Sequence, residues 1–162
     1  MAHTLLNFHI PRYQEIPDIG LYLEQTTKYI NGFLLPLGCL EITSSMISNY
    51  VKKGYIESPV KKQYNAEQIA SLFFITLVKK VLSMENIEKL FRIQEQTADK
   101  QTAYNSFCEE FEMTLSALFD THIIEPAFID HGDNGKKILH STVTAVAHVI
   151  YLNQWFDEDK EH

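Results

Sequence analysis

The sequence predicts a mainly α fold with one small two-stranded wing near its middle and a helical lobe after it. Apolar residues recur at spacings of three and four in one segment after another. Good capping residues stand at the heads of several of these segments. One stretch, YIESPVKKQY at 55–64, interrupts the helical pattern with β-favouring ends around turn-forming residues. With 162 residues, 45% hydrophobic and 22% charged, the chain suffices for one domain with a sizeable core or for a small head plus a second lobe.

Residues 1–15 show no clear period, and Pro11 and Pro17 bracket their end, so they are expected to form an arm leading into structure. Asp18 then stands where a helix cap is wanted, ahead of Ile19, Tyr22, Leu23, Thr26, Tyr29, Ile30, Phe33 and Leu34 at helical spacing. Pro36 and Gly38 close that helix. Thr43 is the next N-cap, and its hydroxyl can accept from a first-turn amide that the helix leaves unpaired. Met46, Ile47, Tyr50 and Val51 form the inward face, and Gly54 sits where a left-handed stop is needed. Ser45, Ser48, Asn49 and Lys52 fall on the opposite face, free to touch something. In 55–64 a Ser-Pro turn and the Lys61-Lys62 pair suit two very short strands and a tip.

Helices resume at once. Asn65 with Gln68 makes a capping-box pair ahead of a broad apolar stripe through Ile69, Leu72, Phe73, Leu77 and Val81. Ser83 caps a further helix with Met84, Ile87, Leu90 and Phe91 inward. The polar run 94–102 separates this head, residues 16–95, from an acidic helical lobe at 96–162, expected to serve dimerisation or effector binding. In the lobe, Tyr104, Phe107, Cys108, Phe111, Leu115, Leu118, Phe119 and His122 keep helical spacing up to Pro126, and HGDNG at 131–135 marks a turn. A last helix from about Ile138 to Phe156 is apolar around most of its circumference, so it is expected to be central or to face a second subunit. Phe107, Phe111, Phe119, Tyr151, Trp155 and Phe156 are either core and dimer interface or the lining of a small-molecule effector pocket.

The formal net charge is −7, but it is unevenly spread. From Thr43 to Lys80 there are six lysines against two acids, net +4; from Glu95 to His162 four lysines face thirteen acids, net −9. A basic segment joined to an acidic one suits phosphates meeting the first while the second faces away. No run of eighteen apolar residues and no signal-like start is present, so no membrane contact is expected and the protein is placed in the cytoplasm. Cys39 and Cys108 stand far apart without a CxxC partner and are expected to be reduced. His122, Asp130, His131, Asp133, His140 and His148 lack the three- or four-residue spacing of a helical metal pair, and no GxSxG or phosphate-cradling loop occurs. The sequence therefore calls for no metal, no cofactor and no catalytic group.

The run TSSMISNYVKKGYIESPVKKQYNAEQIASLFFITLVKKVLSMENIEKL sets these elements in a fixed order: capped short helix, glycine stop, basic hairpin, capped helix, and a further helix opened by Leu-Ser-Met-Glu. In this it resembles the MerR superfamily. Ile47–Ile56 is similar to that family's recognition helix and its glycine exit into the wing; Tyr64-Asn65-x-x-Gln68-Ile69 and Leu82-Ser83-Met84-Glu85-x-Ile87 are similar to its two following helices. Residues 16–95 also resemble a bacterial family known as domain of unknown function 1836. These resemblances imply a winged helix-turn-helix and double-stranded DNA as partner. The helix would enter the major groove, where Asn49 can pair bidentately with adenine and Ser45 and Ser48 can bond bases or phosphates. Lys52, Lys53, Lys61 and Lys62 would neutralise phosphates, and Thr43 and Ser44 at the helix start complete the expected DNA-binding set. One short helix reads few bases, so a homodimer is expected. The recognition-helix arginines and long dimerisation helix of MerR proteins are absent, as is a cysteine cluster, and no effector type follows from the resemblance. The competing readings are a non-catalytic protein-interaction module on the same fold and, further off, a small enzyme.

Overall fold

The computed structural model describes residues 5–38, 40–120 and 133–160. Among them the architecture is mainly helical with a small two-stranded antiparallel sheet. In chain order the elements are β1 (Leu21–Tyr22), α1 (Leu23–Leu34), α2 (Ser44–Lys52), β2 (Gln63–Tyr64), α3 (Ala66–Val78), α4 (Met84–Glu95), α5 (Lys100–Phe119) and α6 (Asn134–Lys160). Single 3-10 turns occur at Tyr13–Glu15 and Leu35–Leu37. The expected turn at 131–135 lies largely outside the described residues, as do His122, Pro126, Asp130, His131 and Cys39.

Helix α3 is the axle. Nearly every residue from Ala66 to Val78 is buried, because other elements pack around it from several sides. Towards α1, Phe73 meets Tyr29 and Phe33 edge-on, with centroids 6.0 Å from each. On the other side Phe74 meets Phe107 of α5 at 4.8 Å and Phe91 of α4 at 5.1 Å. Phe107 stacks on Phe111, which in turn meets Phe8 at 6.2 Å. One hydrophobic core thus runs from Leu5 to Ile150, shared by the head and the C-terminal lobe. Each fully buried Phe, Leu or Ile removes enough apolar surface to contribute roughly 1.5–3 kcal/mol.

Of the two places expected for the last helix, central or against a second subunit, the central one belongs to α3. Helix α6 buries Val143, Val146, Ala147 and Ile150 against α5 but exposes Ile138, Leu152, Trp155 and Phe156. Its middle is apolar over most of its circumference, and among the described residues these four large side chains are left exposed.

The described part of the expected arm, from Leu5 onward, is packed as a strap. Leu5, Phe8 and Ile10 are buried, and burial requires apolar surface, not a helical period. Polar bonds stitch the strap along α5. Arg12 forks onto Glu112 (2.8 and 2.7 Å), and the Ile10 amide donates to the same carboxylate at 2.8 Å. The Tyr104 hydroxyl donates to the Pro11 carbonyl (2.7 Å), and the Tyr13 amide to Asn105 (2.9 Å). The Glu112 carboxylate hydrogen-bonds the Arg12 guanidinium and holds its pKa above the ordinary value.

The start of the first helix also differs from expectation. Helix α1 begins at Leu23, not Asp18, and Ile19 is 86% exposed. Asp18 faces the amide of Ala66, the first residue of α3, at 3.4 Å, so it caps a helix distant in sequence. The Tyr22 amide, one of the orphan donors of α1, finds Gln25 at 2.9 Å. Residues 21–22 are thereby released to pair as a strand, Leu21 opposite Tyr64 and Tyr22 opposite Gln63. The two-stranded element expected within 55–64 is built differently: β2 takes its partner from ahead of α1, and within 55–64 only a Val60–Gln63 bridge remains. Gly20 makes the close approach feasible. Its φ is +88°, and a Cβ there would lie 2.9 Å from Gln63.

Candidate nucleic-acid interface

Helix α2 is short, capped at both ends and pinned from behind. Thr43 Oγ1 accepts from the Met46 amide at 3.1 Å. At the far end Gly54 takes φ +78°, the Tyr55 amide reaches back to the Tyr50 carbonyl (2.9 Å), and the Gly54 amide bonds Val51 (3.1 Å). This paired closure satisfies carbonyls that the helix end leaves open. No atom would meet a Cβ at Gly54, so glycine is required there by the backbone angle, not by space.

The inner face of α2 rests on Ile47 and Tyr50, both buried, with Met46 and Val51 half-buried beside them. Two polar clamps from α1 fix its position. Asn31 donates to the Ile42 carbonyl (2.7 Å) and accepts from the Ile42 amide (2.9 Å), holding the chain just before the cap. Thr27 Oγ1 lies 3.1 Å from Ser44 Oγ. Sequence reasoning missed Asn31 and Thr27. The available signal was a mid-helix Asn, a weak helix former that is usually retained for its side-chain bonds.

Ser45, Ser48, Asn49, Lys52 and Lys53 are all exposed on the outward side of α2. Thr43, although exposed, spends its hydroxyl on the cap, and Ser44 is half-buried against Thr27. These two hold the helix, and the other five are presented by it. Behind α2, the Lys79 ammonium sits 3.8 Å from Met46 Sδ. Burial, and then the neighbouring charge of Lys80, lower the Lys79 pKa.

The second basic group is the tip Val60-Lys61-Lys62-Gln63. Val60 and Gln63 exchange both backbone hydrogen bonds (3.2 and 2.9 Å), and Lys61 and Lys62 take φ +52° and +65°. This is a two-residue turn of type I′, whose central positions favour Asn and Gly. Two exposed lysines occupy them here. Gln68 anchors the base of this tip. It completes the expected capping box with Asn65 (2.8 and 2.9 Å), and its Nε2 donates to the Glu57 and Ser58 carbonyls at 3.0 and 3.1 Å. The capping role follows from local spacing, whereas the bonds to 57–58 could not be read from it.

Residues 11–111 match the family model described as Domain of unknown function (DUF1836). The chain belongs to this family. The DUF1836 span takes in the strap from Pro11, the whole of the α1–α4 head and the first part of α5 through Phe111. No curated protein and no solved structure matches the chain.

The histidines do not gather. His140 pairs with Glu110 at 2.7 Å, His148 is exposed, and among the described residues no three His, Cys, Asp or Glu side chains come together in a metal-holding group. No helix among them is long and apolar enough to cross a membrane.

Proposed function

We propose that the DUF1836 head is a MerR-like winged helix-turn-helix of bacterial type, and that the protein regulates transcription by binding double-stranded DNA. One observation carries this reading. A short helix pinned on its inner face turns Ser45, Ser48, Asn49 and Lys52 outward, and a separate tight turn displays Lys61 and Lys62. Small polar groups on a rigid helix suit base edges, and lysines at the helix end and wing tip suit phosphates. Asn49 is assigned to base reading. Lys52, Lys53, Lys61 and Lys62 are assigned to the backbone, while Thr43 and Ser44 orient the helix.

A homodimer supplies a second reading helix, and the outward residues Leu152, Trp155 and Phe156 of α6 provide unpartnered apolar surface for it. Sedimentation showing a monomer at micromolar concentration would remove this part of the proposal.

The deciding experiment is selection of bound fragments from a random duplex pool, followed by affinity measurements across a salt series. A symmetric consensus and a steep loss of affinity with salt are expected. Joint replacement Lys61→Glu and Lys62→Glu should abolish retention while the fold persists. Without enrichment, the reading falls in favour of a protein-interaction module on the same fold.

A further inference from the structure

A cavity of about 290 Å³ opens where the strap, the exit from α2 and helices α3, α4 and α5 meet. It lies at the seam between head and lobe. Five aromatic side chains line it: Tyr13, Tyr55, Phe74, Phe91 and Tyr104. The Tyr104 hydroxyl is already committed to the Pro11 carbonyl, so its ring contributes apolar surface. Aromatic faces carry negative potential and attract cations placed over them.

The charged groups around the cavity favour the same sign of ligand. Glu67, Glu88 and Glu95 line it together with Arg92 and Lys100. Glu67 is taken by Lys100 at 2.6 Å and Glu88 by Arg92 at 2.9 Å. Glu95 has no ion-pair partner among the described residues, leaving one carboxylate in surplus. The hydrogen bond that Lys100 donates to Glu67, with added charge from Glu67, Glu95 and Glu57, raises the Lys100 pKa, as expected where negative potential accumulates. Gln94 lines the cavity too, but its Nε2, without a hydrogen-bond partner among the described residues, is closed to a molecule the size of water and offers the cavity no donor.

We propose that this cavity is a binding site for a small organic cation: an amine or quaternary ammonium on an apolar body. The aromatic walls take the body and Glu95 takes the charge. Neither the cavity nor its lining draws on the proposed DNA-contact residues, so the site stands whether or not the head binds DNA.

Calorimetry on the full chain tests it directly with three soluble probes: benzyldimethyl(2-hydroxyethyl)ammonium, the neutral 3-phenyl-1-propanol and the anionic phenylacetate. The cation is expected to bind about tenfold or more tighter than the neutral alcohol, the scale of a desolvated cation–aromatic contact. Glu95→Gln, at an exposed position, should weaken the cation about fivefold and leave the alcohol unchanged. Ala103→Leu, which fills the cavity from α5, should weaken both, with circular dichroism confirming that both variants remain folded. Equal affinity for the cation and the alcohol would overturn the proposal. So would tighter binding of phenylacetate, no heat with any probe, or insensitivity to both variants.

Discussion

The lysine pair at the wing tip sits in a conformation that disfavours lysine, and this makes its purpose measurable. Lys61 and Lys62 hold φ +52° and +65° in a type I′ turn. A left-handed backbone costs an ordinary side chain roughly 1–2 kcal/mol per residue, nothing for glycine and less for asparagine. Replacing the pair by the preferred chemistry, Lys61→Asn with Lys62→Gly, relieves most of that strain and removes the repulsion between adjacent ammonium groups. Against this, the new glycine loses more freedom on folding, about 0.5–1 kcal/mol. The balance is a gain of about 1 kcal/mol, or roughly 2–4 °C in Tm for a chain of this size. Urea titration should show the midpoint rising with the slope unchanged. On the proposed DNA-binding reading the same variant removes two phosphate contacts, so its DNA affinity should fall at low salt and its log–log salt slope should shrink by about 1.8. Higher stability with unchanged salt dependence would refute the phosphate role of the tip. Lower stability would refute the strain argument itself.

Three further outcomes follow from single contacts. Asn31→Ala removes both bonds to Ile42, whose residue is 1% exposed, and should cost about 2–3 kcal/mol in urea titration; an effect below about 0.5 kcal/mol would mean that water replaces both partners. Gln68→Glu keeps an acceptor for the Asn65 amide but turns an oxygen towards the Glu57 and Ser58 carbonyls, costing about 2 kcal/mol at neutral pH. That carboxyl would have a raised folded pKa, so the loss should shrink as pH falls and the protonated acid donates again; a pH-independent loss would argue against the contact. Burial pushes the Cys108 thiol up from 9.0 to about 12. With Cys39→Ser to silence the other thiol, Cys108 should resist a thiol reagent at pH 8 until the chain is unfolded. Because its folded pKa is raised, its contribution to stability is full below about pH 9 and declines as pH climbs towards 12; rapid labelling of the native protein would contradict its burial.

What could be read in the sequence was what depends on near neighbours. Thr43, Asn65 and Ser83 cap the helices they precede, because a cap is decided within one turn. Gly54 ends α2 for an equally local reason. The outward set Ser45, Ser48, Asn49 and Lys52 follows from the periodicity of a helix whose inner residues are apolar. The misreadings share a cause in distance along the chain. Asp18 resembles a cap for the helix just after it, but its bond goes to Ala66. Tyr22 fits the helical stripe, yet a strand partner forty-odd residues on wins it and its neighbour Leu21. The strap carries no period at all, and α5 buries it through Arg12, Tyr104 and Glu112. Helix α3 and the middle of α6 are both apolar over most of their circumference, and composition alone could not say which one the others would surround.

The pairing of β1 with β2 also orders events in time. Helices α1 and α2 lie inside the loop that Leu21 and Tyr64 close, and each can form from contacts near in sequence. Joining the two strands must first overcome the entropy of closing that loop, so the wing base is set after the helices it follows. A chain caught before closure already has its short basic helix, while the base of the lysine tip still lacks its strand partner. On the proposed DNA-binding reading, such a chain would meet nucleic acid with fewer ordered charges and a shallower response to salt. A pairing of only two residues on each strand, Leu21–Tyr22 with Gln63–Tyr64, thus governs when the base of the basic tip is set.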